Sequence, residues 1–266
     1  MFQDDLKANK SKTFMIVEKE TKTGKFEIVS REDENYEFIH LVLKSDIKMP
    51  KLNSLSSVYI YDDQGHKKLY RPILQQKSRK KIEIIVNKNS EDYLDKYICK
   101  QDEKEKLTVE YFIKEVVTDC SNFKTVLCVS EKDGITSSMQ IAISNVVKST
   151  NECYFTLLNM HKYKKDIMFE NFIKGLTETG SLHNINFVTH NEKGEVVNEL
   201  DHYKLFDLTE GKRFDHHFVC GSDELVEFFF GVKDPMNKEK TLSGILGNMG
   251  YMNDSVTILQ YERKSQ

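Results

Sequence analysis

The sequence has little of what most easily betrays a function. It contains no tryptophan and only three prolines, Pro50, Pro72 and Pro235. No apolar run approaches the roughly 18 residues that a membrane-crossing helix needs. The opening residues MFQDDLKANKSK hold no apolar h-region, so no signal peptide is expected. The nucleophile elbow G-x-S-x-G, the phosphate-binding Walker loop and the zinc-protease H-E-x-x-H are all missing. The five cysteines, Cys99, Cys120, Cys128, Cys153 and Cys220, are widely spaced with no CxxC. That pattern reads as reduced thiols, with a redox-sensitive or interchain bridge as the alternative. Arginine is scarce: Arg31, Arg71, Arg79, Arg213 and Arg263 are the only ones among 39 basic residues. Base readout in nucleic acid leans on arginine, so the scarcity argues against it.

What is present is charge and short apolar segments. Charged residues make up 30% of the 266-residue chain and hydrophobic ones 39%, enough for a sizeable core and too little net charge for disorder. The net charge of −3 hides a separation. Residues 66–88 carry Lys67, Lys68, Arg71, Lys77, Arg79, Lys80, Lys81 and Lys88 against one acid, Glu83, whereas acids dominate residues 191–235. Such a dipole orients near an anionic surface. Within it, QQKSRKKIEIIVNK (75–88) runs a basic cluster straight into an alternating apolar stretch, Ile82, Ile84 and Val86.

Turn signals predict three hairpins: 56–73 around Asp63-Gln64-Gly65, 124–144 around Asp133-Gly134, and 184–200 around Lys193-Gly194. Further strands are expected at 13–19, 25–30, 36–44, 82–87, 153–159, 202–208, 215–220 and 256–261. Helical spacing and caps predict helices over 90–99 with Ser90 as N-cap, over 107–117 and over 166–176, while 222–232 fits helix and strand equally. After Val232 the glycines Gly244, Gly247 and Gly250 indicate a linker and a loose tail that returns for one strand, without the strand context of a dinucleotide fingerprint. The class expected is α+β: a strongly twisted, mostly antiparallel sheet with several short helices, over residues 1–232, with 233–266 as a tail.

Histidines His183, His190, His202, His216 and His217 match no closed zinc site, and surface or partly buried roles are expected for them. Paired acids such as Asp62-Asp63 and Asp223-Glu224 read as turn and cap residues. No metal, cofactor or enzymatic activity is expected.

One block resembles a known family. Phe14, Gly24, Phe26, Val29, Ser30, Tyr36, Ile39, Leu41, Val42 and Lys44 in residues 13–44 are similar to the opening of the gasdermin pore-forming domain. KTVLCVSEKDGITSS (124–138) and CGSDELVEFFFGV (220–232) resemble later segments of the same family. The chain departs from vertebrate gasdermins in lacking a lysine- and tryptophan-rich run after the second strand and a large C-terminal repressor domain. The resemblance implies a gasdermin N-terminal-like fold and a conditional pore-former, cytoplasmic when inactive and membrane-bound when active. It implies a monomer or dimer that closes into a large ring and inserts β-hairpins from 51–95 and 150–208, causing lytic cell death. Acidic membrane lipids would be the partners, contacted by Lys7, Lys10, Lys12, Lys77, Arg79, Lys80 and Lys81. Restraint would come from the tail, a regulatory partner chain or a cysteine bridge. The rival reading is a nucleic-acid-binding or viral-type assembly protein using the basic 66–88 patch.

Overall fold

The computed structural model describes residues 14–17, 21–49, 55–73, 79–111, 115–118, 120, 123–146, 153–178, 180, 182–231 and 242–259. Two sheets of opposite character make up the molecule. The N-terminal one is antiparallel. Following β1 (Phe14–Val17), it contains β2 (Lys22–Asp33), β3 (Phe38–Ser45), β4 (Val58–Tyr61), β5 (Lys67–Tyr70), β6 (Lys81–Asn87) and β7 (Lys106–Tyr111), in the spatial order β5-β4-β7-β2-β3-β6. β1 pairs separately with β8 (Glu115–Thr118). Burial alternates along β3, β4 and β7, as in half-buried strands. Phe26 and Ile28, Leu41 and Leu43, Ile82 and Ile84, and Leu107 and Val109 point into one core. The two edges meet at an isolated Ile73–Glu83 bridge, which bends the sheet toward a barrel. Helix α1 (Tyr93–Cys99) caps it, with Ile98 buried in the same core. Its N-cap is Asp92, whose carboxylate accepts from the Leu94 and Asp95 N–H groups, rather than Ser90.

The second sheet is parallel throughout. It contains β9 (Thr125–Glu131), β10 (Tyr154–His161), β11 (Leu182–Val188), β12 (His216–Cys220) and β13 (Val256–Leu259), in the order β11-β10-β9-β12-β13. Helices α2 (Ile135–Val146) and α3 (Glu170–Thr177) cover one face. Helices α4 (His202–Leu208), α5 (Asp223–Phe230) and α6 (Ile245–Asn248) cover the other. Both faces are therefore dry. Along β9, Val126 and Cys128 pack with Ile135, Met139 and Phe155, while Leu127 and Val129 pack with Leu205, Phe229 and Leu246. Such continuous apolar runs mark parallel sheets. Phe38, Leu55, Ile73 and Ile85 of the first sheet join the core beneath α2, so one core spans the seam between the layers.

This architecture corrects the expected fold. A parallel five-stranded sheet has no place in a single twisted antiparallel domain, and the gasdermin-like fold is overturned. The hairpin expected at Asp133-Gly134 is instead a strand, a short 3-10 turn (Lys132–Gly134) and helix α2. The helix expected over 107–117 is β7 followed by β8, because Leu107, Val109 and Tyr111 take the inward positions at period two. The strand expected at 202–208 is α4, whose N-cap Asp201 accepts from Lys204 N. The hairpin expected over 184–200 reduces to a His190–Val196 bridge after the parallel edge strand β11. Histidines His216 and His217 are 1% and 0% exposed, inside the sheet rather than near the surface. The hairpin at 56–73 stands as β4–β5, with the Asp62 carboxylate accepting from Gln64 N and His66 N in its turn.

Candidate functional site

In an open parallel sheet, ligands bind outside the carboxyl ends of the strands, where the strand order reverses direction. Here that point lies between β9 and β12. From β9 the chain builds outward through β10 and β11 on one side, and through β12 and β13 on the other. Two turns leave the sheet at this point. After β9 comes Glu131-Lys132-Asp133-Gly134 and then α2; after β12 comes Cys220-Gly221-Ser222 and then α5.

The two turns touch. A Cβ on Gly134 would stand 2.1 Å from the Cys220 carbonyl oxygen, so only glycine lets them approach. Across the remaining gap, Ser222 N–H donates to the Glu131 carboxylate at 3.0 Å. The Glu131 side chain and Leu225 both lie 2.8 Å from where a Cβ on Gly221 would be. Ser222 Oγ accepts from Leu225 N at 3.2 Å. The Glu224 carboxyl is held below its usual range by its own backbone N–H and by Ser222. A buried polar ladder continues along the same ends: Ser130 Oγ with Asn159 at 2.6 Å, then Asn159 with Asn184 at 2.8 Å.

Facing the switch point across the seam is the end of β5. Arg71 donates to Ser137 Oγ on α2 at 2.5 Å. Gln140, fully buried on the same helix, donates Nε2 to the Ser56 and Pro72 carbonyls. Its Oε1 is buried with no partner among the described residues. Lys68 pairs with Asp95 at 2.5 Å and lies 3.9 Å from Asp92. Tyr70 donates to Asp95 at 2.6 Å, and burial followed by the Asp95 charge raises its phenol. Burial also pushes the half-buried Asp133 carboxyl up to about 6, against the pull of Lys68.

The residues singled out in the sequence lie elsewhere. Arg79 donates Nε to the Met49 carbonyl at 2.8 Å, and Lys80 and Lys81 are exposed where β6 begins. Lys7, Lys10, Lys12 and Lys77 fall outside the described residues. The basic run is thus spread over the antiparallel layer. Lys67 lies 4.4 Å from the Tyr59 ring centre, and Lys88 pairs with Asp33. The five cysteines form no disulfide among the described residues. Cys120, Cys128, Cys153 and Cys220 share the seam core, where burial, and then the neighbouring cysteines, raise the Cys128 thiol far above its usual value. Burial raises Cys153 to about 12 and Cys220 to about 11. Cys99 is half-buried at the end of α1, its thiol also raised by burial. No metal-binding group occurs among the described residues.

No protein-family model matches the sequence, and no curated protein matches it. Solved structures do. The cytochrome b5 reductase domain of Ulva prolifera nitrate reductase superposes with a TM-score of 0.66 at 11% identity, over 90% of this chain and 97% of its own. A ferredoxin NADP+ reductase from Neisseria gonorrhoeae, solved with FAD and NADP, gives 0.67 at 13%, over 91% and 99%. A flavohemoglobin from Malassezia yamatoensis, solved with FAD and heme, gives 0.71 at 10%, over 98% of this chain and 63% of its own. The fold is that of the flavoprotein reductases.

This reductase fold removes the basis of the pore-forming reading. The segments expected to insert into a membrane are built into it. Residues 51–95 supply β4, β5, β6 and the start of α1, and 150–208 supply β10 and β11 within a sheet covered on both faces. A ring of lipid-bound protomers, acidic lipids as partners, lytic activity and a non-enzymatic role all fall with it, as does the nucleic-acid alternative. Two groups found in structures of this fold can be tested against the residues present. For a flavin in the seam the fit is favourable: Arg71 and Lys68 bring cations to the mouth, and the lone Gln140 Oε1 lacks a donor. For a dinucleotide phosphate at the switch point it is not, because the Glu131 carboxylate already fills the gap between the turns.

Sequence reasoning missed Glu131, Ser222, Arg71, Ser137 and Gln140. The available signals were local: a buried run ending in an acid and then Asp-Gly before β9's helix, and a glycine followed by the capping Ser222 after β12.

Proposed function

We propose that this chain is a flavin-dependent oxidoreductase that passes electrons from a pyridine nucleotide to a redox protein. The observation that supports it is the reductase fold running through 90% or more of the chain. The flavin would sit between the end of β5 and the start of α2, and when bound it supplies the capacity to accept electrons in pairs and release them singly. Arg71, oriented by Ser137, neutralises phosphate charge there, and Gln140 offers a buried amide oxygen to a ring N–H. Asp133 can hold a proton on its carboxyl near neutral pH, since burial places its pKa at about 6. The acceptor class follows from fold neighbours whose reductase parts accompany heme or a [2Fe-2S] centre.

The test is flavin titration of the purified protein, followed by fluorescence quenching and the visible flavin spectrum. Saturable binding of FAD or FMN is expected, weakened about tenfold by Arg71→Ala through loss of one charge-assisted contact. No flavin binding under any condition tried overturns the reading.

A further inference from the structure

At the switch point a side chain of this chain stands between the two turns. The site where helix N-termini and a strand-order reversal would receive a dinucleotide phosphate holds an acid of this chain. Glu131 ends β9, leans across to β12's turn and accepts the Ser222 N–H at 3.0 Å. That N–H belongs to the N-cap of α5, one of the donors an incoming phosphate would use. The side chain also takes up the volume above Gly221. Acids crowd around it, with Lys132 of the same turn, close enough to lower the Glu224 carboxyl, as the neighbouring cation. Asp223 and Glu224 follow in the first turn of α5. Asp133 stands on Glu131's own turn, and Asp95 lies close enough to raise its carboxyl further. Across the seam Lys68 is paired with Asp95 and Asp92, while Arg71 donates to the neutral Ser137 hydroxyl and keeps its charge.

We infer that Glu131 is an internal competitor for the phosphate of the pyridine nucleotide and sets this protein's affinity for it. Resting on the reductase reading for the class of ligand, the inference assigns a residue that limits binding. Two effects add. The carboxylate withholds the Ser222 N–H, and its charge repels a diphosphate in a partly dry crevice, where charges act more strongly than in water. Nucleotide entry therefore requires the Glu131–Ser222 hydrogen bond to break and the side chain to swing out.

The two effects separate by substitution. Glu131→Gln keeps an acceptor for Ser222 N–H and removes the charge. Glu131→Ala removes both, and no Cβ is added to the crowded Gly221. Equilibrium binding of NADH and of NADPH, read by nucleotide fluorescence on the full chain, is the measurement. FAD titration and thermal melting of the same samples are run alongside. Wild type is expected to bind either nucleotide weakly, Glu131→Gln about tenfold more tightly, and Glu131→Ala more tightly still. Flavin affinity should stay within twofold in all three. The inference is overturned if wild type already binds in the low micromolar range. It is also overturned if folded variants bind no better than wild type, or if no variant binds at all. A gain in nucleotide affinity without any flavin binding would keep Glu131's role and remove the flavin reading.

Discussion

The two layers solve burial in opposite ways. In the antiparallel layer one face is largely wet, apart from Phe38 and Ile85 at the seam, and its polar chemistry sits on that face or at the rim: Lys67 on Tyr59, Lys88 with Asp33, Tyr61 with Glu110. In the parallel layer β9, β10 and β12 are buried on both faces, and polar groups survive only as neutral or tightly bonded ones. His216 meets Thr257 at 2.9 Å and stacks on Phe123; His217 meets the Ser255 carbonyl and the ring of Tyr251. A sheet with one wet face tolerates charge and repair by water. A sheet with none carries few polar atoms, Thr156 Oγ1 and His217 Nε2 being left without a hydrogen-bond partner among the described residues, and it gathers its chemistry at the one place its strands end together.

The contrast can be broken hardest at the turns. Gly134→Ala puts a methyl 2.1 Å from the Cys220 carbonyl oxygen, a backbone atom that cannot step aside. A loss of about 4 kcal/mol or more is expected, read from the denaturant midpoint. Gly65→Ala, in the β4–β5 turn of the other layer, meets open space and suffers only its φ of +88°. About 1 kcal/mol is expected there.

The buried histidines give the next largest difference. Burial lowers His216 and His217 to about 4 from the 6.5 of an exposed imidazole. The unfolded chain therefore binds more protons between those values. The stability these rings contribute is present above about pH 6.5 and lost as the pH falls toward 4. Roughly 2 kcal/mol per histidine should disappear between about pH 7 and about pH 5. His217→Phe, keeping the contacts with Phe214 and Tyr251, should flatten that slope in a series of melts. A slope unchanged by the substitution would show that these rings are not the cause.

In the antiparallel layer, Lys68→Ala leaves the Asp95 carboxylate, 4% exposed, with Tyr70 alone as its side-chain hydrogen-bond partner. About 2 kcal/mol should be lost, and Asp95→Asn in the same background should recover part of it. The smallest effect belongs to Lys80→Glu and Lys81→Glu, both exposed. Each should change stability by less than about 0.5 kcal/mol, which would confirm that the basic run is a solvated rim.

The antiparallel layer was legible because alternation is a local signal. β2, β3 and β6 read directly from their apolar rows, and the β4–β5 turn from Asp-Gln-Gly. In the parallel layer the strands expected at 153–159, 215–220 and 256–261 are present, but their parallel pairing was not legible. Asp133-Gly134 reads as a hairpin turn in isolation; what makes it the start of a helix is Cys220, far along the chain, packed against the glycine. The antiparallel layer hid one strand too: Val109, Phe112, Ile113 and Val116 fall at helical spacing, though 106–111 is the extended β7. The gasdermin-like blocks at 13–44, 124–138 and 220–232 are short strand and strand–turn–helix pieces that other architectures reuse. The site was hidden for the same reason. Glu131 and Ser222 are 91 residues apart, and Arg71 and Ser137 are 66 apart. Only the strand order brings them together.

The late return of β13 to the edge of β12 also sets an order of events in time. All six strands of the antiparallel layer precede Lys124, so that layer has every partner it needs early in synthesis. β12 does not: its outer neighbour is the segment Val256–Leu259, made after α5 and α6. Until that segment arrives, β12 has an unpaired edge beside the apolar Phe218 and Val219, the kind of edge on which chains stick to one another. The interval between the two layers is when this protein is most exposed to aggregation, and its last strand ends it.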